Sequence, residues 1–171
     1  MHFRTTITGT SSGEHYIFYG QDRIGYRNRH FKILKFATML LNSPNMAGGM
    51  HTTKNDPRVL PFGRFLRKTK INELPQVFNI FLGDMSIVGP RPERPELVKE
   101  YCKTYPEFRY RLKVKAGLTG YAQVFGRYNT LFEDKVKLDL LYIQHFSLIF
   151  DFYIMISTIK ILFMPSSSEG V

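Results

Sequence analysis

The stretch Lys68-Thr69-Lys70-Ile71-Asn72-Glu73-Leu74-Pro75-Gln76, followed by Gly83-Asp84-Met85-Ser86-Ile87-Val88-Gly89-Pro90-Arg91-Pro92-Glu93, decides how this chain is read. Asn72 is a good N-cap residue, because its side-chain oxygen can accept a free backbone N–H of a first helical turn. Pro75 fits that turn, where its missing N–H breaks no helical bond. Leu74, Val77, Phe78 and Phe81 then recur at i, i+3, i+4 and i+7, the stripe of a helix docked on a core. The spacing predicts a helix whose N-terminus, at Asn72 and Glu73, favours an anion through unpaired N–H groups and the macrodipole. It is equally the spacing of a plain capped helix followed by a turn. Gly83 marks the stop. Beyond it, Pro90 and Pro92 restrict the backbone on both sides of Arg91, so a planar guanidinium stands on a stiff support, a good phosphate clamp.

At 171 residues the chain is long enough for one domain with a real core. Hydrophobic content of 43%, with 15 Phe and 10 Tyr, excludes wholesale disorder and suggests that some aromatics face lipid or a partner. The formal charge of +10 draws the protein to polyanions: nucleic acid, anionic lipid or phosphorylated substrates. Cys102 is the only cysteine, which excludes an intramolecular disulfide and fits a reducing setting. Met1 to Glu14 lacks the apolar core of a signal peptide. The apolar region from Phe146 to Met164 is interrupted by Asp151 and Lys160, so no transmembrane helix is expected.

In chain order, residues 1–14 read as a flexible lead-in. Tyr16 to Phe36 reads as a hairpin rich in cations, including Arg23, Arg27, Arg29, Lys32 and Lys35, compatible with a solvated face and with phosphate or lipid-headgroup binding. A long loop follows from Asn42 to Arg58; His2 and His51 are isolated and do not read as metal ligands. Phe62 to Thr69 is predicted as a short amphipathic helix with a basic face, and Glu93 to Thr104 as another helix. Phe108 to Lys115 alternates apolar and basic residues, which predicts a strand with four cations on one face. Its aromatics fall opposite the charges, which disfavours single-stranded nucleic-acid binding. Gly117, Gly120 and Gly126 permit tight turns and close approach to a ligand. Helices are predicted over Leu131 to His145 and Phe146 to Met164, the latter either core or lying in a membrane interface. Residues 165–171 read as a tail.

Read together, these blocks resemble the bacterial sugar transferase family, the monotopic phosphoglycosyl transferases that begin polysaccharide and glycoconjugate assembly on polyprenyl (undecaprenyl) phosphate. The matching segments are Gln21-Asp22-Arg23-Ile24-Gly25, residues 31–39, residues 62–69, Glu73-Leu74-Pro75-Gln76, residues 83–93, residues 117–124 with Gly126-Arg127, and residues 138–159. They run in family order.

The resemblance implies an α+β fold: a mainly helical compact domain over residues 15–164, with a small β hairpin and amphipathic helices on a membrane surface. It implies transfer of a sugar 1-phosphate from a UDP-sugar to polyprenyl phosphate, with release of UMP and a requirement for Mg2+, at the cytoplasmic face of the bacterial inner membrane. The anionic membrane surface is a further partner, and nucleic acid is not. Family members carry an Asp-Glu pair in the segment matching Asn72-Glu73, where the Asp attacks the sugar-bearing phosphate and the Glu helps hold the metal. By this match Asn72 and Glu73 take the catalytic positions, with Glu73 also on the metal. Arg91 and Arg127 bind donor phosphates, and Gln123 orients the nucleotide or a metal-bound water.

Three departures follow. Asn72 is a neutral carboxamide where the family's nucleophile is usually Asp. Met1 to Glu14 holds no counterpart of the family's N-terminal membrane-inserted helix. Ala37 stands where a basic residue is usual. The alternative reading is a catalytically silent relative that binds nucleotide sugar or lipid phosphate, or partners an active transferase.

Overall fold

The computed structural model describes residues 6–7, 15–40, 56–126 and 130–162. It is α+β, with short two-stranded pairings among helices. The chain divides into two compact units: Met1–Gly20, Leu34–Pro75 and Pro165–Val171 form one, Gln21–Ile33 and Gln76–Met164 the other. The predicted hairpin is present as β3 (Phe18–Ile24) paired with β4 (His30–Phe36), and the chain passes from one unit to the other within each strand.

In the first unit, β1 (Thr6–Ile7) pairs antiparallel with β2 (His15–Tyr16), and the Phe18 and Phe36 rings stack with centroids 5.4 Å apart. An isolated bridge joins Met39 to Val59 ahead of α1 (Pro61–Lys68), whose proline sits in the first turn, where no N–H is needed. Gly63 lets α1 press onto the chain at Thr38: a Cβ there would lie 2.2 Å from the Thr38 carbonyl oxygen. The unit ends in a 3₁₀ turn, Ile71–Glu73.

The second unit is built on a parallel pair, β5 (Met85–Val88) with β6 (Ala116–Thr119), in the register Met85 to Ala116 and Val88 to Thr119. Parallel strands need a long crossover. Here α3 (Pro95–Thr104) and a 3₁₀ run, Pro106–Lys113, supply it. α2 (Gln76–Phe81) packs on β5, and α6 (Leu148–Leu162) packs on both strands. α4 (Tyr121–Phe125) lies against α5 (Phe132–Gln144) and α6. The core has three clusters: Ile24, Val98, Phe108 and Val136; Ile33, Met85 and Ala116; and Val88, Tyr142 and Ile154.

Three sequence expectations are corrected. The helix does not start at Asn72, and Asn72 caps nothing: the 3₁₀ turn begins after Lys70, which holds a left-handed φ of 60°, and α2 begins at Gln76. The apolar stripe does not face the core. Leu74, Val77, Phe78 and Phe81 are 56%, 37%, 57% and 84% exposed, whereas Gln76 and Asn79 are buried. The inward face is chosen by a polar anchor, since the Asn79 amide donates to the Lys32 carbonyl at 2.9 Å. Finally, residues 108–113 are not a strand. Pro106 opens a 3₁₀ run in which side chains three apart share a face, so Phe108 and Arg111 both turn inward, with the guanidinium 4.5 Å from the ring centroid.

Candidate functional site

Within the first unit, Asn72 and Glu73 follow one another in the 3₁₀ turn, both half-buried. Lys35, on β4, donates to the Glu73 carboxylate at 3.0 Å, an ion pair with both side chains largely shielded from water. The Asn72 Oδ1 is buried with no hydrogen-bond partner among the described residues. An orphaned oxygen beside a carboxylate is costly unless something occupies it. Elsewhere in the same unit, Arg58 and Asp56 form a buried bidentate pair, and Arg67 donates to the Thr38 hydroxyl at 2.9 Å. Burial holds the Arg67 pKa below its ordinary value.

The second unit places Arg91 with Gln123: the guanidinium donates to Oε1 at 3.3 Å, and the Gln123 Nε2 is buried without a partner among the described residues. The loop under Arg91 is fixed in an unusual way, because each successive carbonyl from Pro90 to Glu93 accepts a hydrogen bond. Gly117 N–H donates to Pro90 at 3.0 Å, Arg111 Nη2 to Arg91 at 3.0 Å, Arg23 Nη1 to Pro92 at 3.0 Å and Ile24 N–H to Glu93 at 2.9 Å. Arg111 is itself held by a buried ion pair with Asp139 at 2.8 Å. Burial pushes the Asp139 carboxyl above its ordinary range, with Arg111 opposing the shift. The loop also needs the bare backbone of Gly117, since a Cβ there would lie 2.1 Å from the Gly89 nitrogen. The result is a planar cation on a rigid mount, able to clamp a phosphate.

A family model described as bacterial sugar transferase matches residues 2–165. The chain belongs to that family.

Among its relatives, a UDP-N-acetylgalactosamine-undecaprenyl-phosphate N-acetylgalactosaminephosphotransferase from Aeromonas hydrophila is 40% identical over 84% of this chain. An undecaprenyl-phosphate galactose phosphotransferase from Salmonella typhimurium is 36% identical over 84% of it. The exopolysaccharide production protein ExoY from Sinorhizobium fredii is 39% identical, again over 84%. The chain spans 34% and 32% of the first two relatives and 68% of the third.

For this bacterial sugar transferase, the structure brings Asn72 next to Glu73 in one unit and Arg91 next to Gln123 in the other. Arg127 lies outside the described residues, as do His2, His51 and most of the loop that follows Asn42. Sequence reasoning missed Lys35 as the partner of Glu73, and Arg23, Arg111 and Asp139 as the supports of the Arg91 loop. Arg111 had been counted among the cations of a strand, and only its three-residue offset from Phe108 hinted otherwise. No described group of three or more His, Cys, Asp or Glu side chains could by itself hold a metal.

Proposed function

We propose that this bacterial sugar transferase moves a sugar 1-phosphate from a UDP-sugar to polyprenyl phosphate and releases UMP, the initiating step of polysaccharide or glycoconjugate assembly, at the cytoplasmic face of the bacterial inner membrane. The observation that carries the reading is the Pro90 to Glu93 loop, whose four tied carbonyls hold Arg91 for a phosphate. The names of the relatives supply the reaction class.

In this reading an acceptor-phosphate oxygen bonds to the sugar-bearing phosphorus, the bond from that phosphorus to the bridging oxygen breaks, and UMP leaves with that oxygen. Arg91 offsets charge on the donor phosphates, a role the family match extends to Arg127, and Gln123 orients the Arg91 guanidinium. The Asn72 carboxamide is not a nucleophile, and in this reading the Glu73 carboxylate, paired with Lys35, serves the metal rather than attack. Direct transfer, without a phosphosugar-enzyme intermediate, is the route these residues favour. Mg2+ binds through one or two protein oxygens together with substrate phosphates, and the Glu73 carboxylate with the partnerless Asn72 Oδ1 fits that donor set. When bound it would offset phosphate charge.

Membrane contact is supported by the apolar surface the second unit leaves uncovered: Val77, Phe78, Phe81 and Leu82 at α2, and Leu148, Ile149, Phe152, Ile156 and Ile159 on α6. No described helix is long and apolar enough to cross a membrane.

The test is UMP release with Mg2+, polyprenyl phosphate and a panel of UDP-sugars. Turnover with no phosphosugar adduct on the protein supports direct transfer; an adduct mapped to Glu73 refutes it. The second reading, a silent relative, rests on the neutral Asn72, and absence of release with every donor would favour it. Asn72→Asp then restores activity if the substrate sites are intact, and no gain counts against the assignment of Asn72 and Glu73.

A further inference from the structure

On the second unit, remote in sequence from Asn72 and Glu73, a cavity of about 1180 Å3 opens between the hairpin turn, α3 and the 3₁₀ run. Its lining shares no residue with Asn72, Glu73, Arg91 or Gln123. Five cations converge on it: Arg27, Lys99, Lys103, Arg109 and Lys113, joined by His30. Among the described residues none of these five has a carboxylate within ion-pair distance. Glu96, Glu100 and Glu107 lie on the same elements, yet none of them lines the cavity. Like charges gathered around a concavity repel one another and focus a positive potential into it.

The floor is of another character. Ile24, Val98 and Leu112 make it apolar, and Tyr26 offers an aromatic wall with the Arg27 guanidinium 5.0 Å from its ring centroid. Arg27 and Asn28 both hold left-handed backbone, φ 53° and 63°, in the turn that carries this wall. Both are central residues of the hairpin turn, closed by the Arg29 N–H donating to the Tyr26 carbonyl at 3.2 Å, and a two-residue turn of this hand calls for positive φ at both.

We infer that this cavity is a second binding site, for a nucleoside polyphosphate: the phosphates lie among the five cations and the flat base rests on Tyr26 and the apolar floor. The cavity is open to solvent, and its floor is the outer edge of the Ile24 and Val98 core cluster; a bare phosphate would not use an apolar floor. The volume leaves room for a ligand of nucleotide size. The walls are also the back of the Arg91 mount, for Ile24 follows Arg23, while Arg109 and Leu112 flank Arg111. Occupancy therefore acts on the loop that presents Arg91.

Cys102, half-buried in the lining and the only cysteine of the chain, reports occupancy without any need for activity. The rate of its alkylation by iodoacetamide is measured with and without UDP, ATP or inorganic pyrophosphate. At nucleotide about tenfold above Kd the rate falls about tenfold, as 1 + [L]/Kd requires. Lys99→Ala, Arg109→Ala and Lys113→Ala, all at exposed positions, each weaken protection about tenfold. Tyr26→Ala weakens nucleotide protection alone, and Glu73→Gln leaves it unchanged. The inference is overturned if neither UDP nor ATP protects Cys102, if protection survives the triple substitution, or if Glu73→Gln abolishes it. Equal protection by pyrophosphate removes the nucleoside from the assignment. Protection by oligonucleotides alone replaces the site with a nucleic-acid surface. None of these outcomes depends on sugar transfer.

Discussion

Arg111→Ala is the sharpest test of how the Arg91 loop is held. The guanidinium is buried, bonds Asp139 at 2.8 Å and the Arg91 carbonyl at 3.0 Å, and lies over the Phe108 ring. Truncation leaves the Asp139 carboxylate, itself 3% exposed, without its counter-charge. Removing one partner of a buried pair costs about 3–5 kcal/mol. The hydrogen bond to Arg91, worth about 1.5–3 kcal/mol in isolation, is contained in that figure rather than added to it, because both bonds come from one group. Urea unfolding at neutral pH should show the loss as a shifted midpoint with an unchanged slope. Arg111→Ala with Asp139→Ala buries no charge and should recover about 2 kcal/mol, a coupling typical of residues in one network. A single-variant loss below about 1 kcal/mol, or a double variant additive to within about 0.5 kcal/mol, refutes the reasoning. Arg111→Lys keeps the charge but loses the fork that serves both acceptors, and so should fall between the two.

Asp139 makes a separate statement about pH. Its folded pKa lies above the ordinary 3.8, so between the two values the folded state keeps a proton that the unfolded state has released, and above that interval Asp139 is the charged partner of Arg111. That contribution is complete below the unfolded value and is lost as pH rises through the folded one. Relative to Asp139→Asn, the native chain should therefore lose stability as pH climbs from about 4, read as the difference between urea midpoints; a difference that grows in the opposite sense refutes the shift. Gly117→Ala drives a Cβ to 2.1 Å from the Gly89 nitrogen and 2.3 Å from the Thr119 oxygen. Overpacking against backbone on two sides should cost about 3 kcal/mol and raise the KM for the donor; an unchanged melting temperature counts against the close approach. Phe81→Ser and Ile149→Ser touch exposed positions and should leave folding intact while weakening flotation with anionic vesicles, by about tenfold or more each if the side chain enters lipid.

What the sequence could reveal was local. The helices expected from Phe62 and from Glu93 begin close by, at Pro61 and Pro95, and Gly83, at a φ of 84°, located the end of α2. The Tyr16 to Phe36 pattern announced the hairpin. The apolar period of α2 was read correctly as a face and assigned to the wrong medium. Periodicity says that one side of a helix is apolar, not whether protein or something else meets it. The deciding contact, Asn79 to the Lys32 carbonyl, joins residues 47 apart. Residues 108–113 failed for a related reason: two-residue alternation is weak evidence against an opening proline, and burial of Arg111 depends on Asp139, 28 residues further on.

The same distinction separates Arg91 in the second unit from Asn72 in the first. Pro90 and Pro92 do limit the backbone around Arg91, as expected from sequence, but rings alone fix φ and leave the loop free to pivot as a body. Its position is set by four carbonyl acceptors, whose donors come from Arg23, Ile24, Arg111 and Gly117. They answer to three separate constraints: strand β3 for Arg23 and Ile24, a buried ion pair for Arg111 and a glycine contact for Gly117. Placement of the clamp is therefore a tertiary property, exposed to substitutions that touch no phosphate. Asn72 shows the converse. Its neighbours in sequence suggested a cap, yet in the folded chain its side-chain oxygen is buried and accepts nothing from the described residues. A buried acceptor left open beside Glu73 has the chemistry of a ligand oxygen rather than of a cap or a nucleophile, which is why the proposed reaction asks it to bind and not to attack.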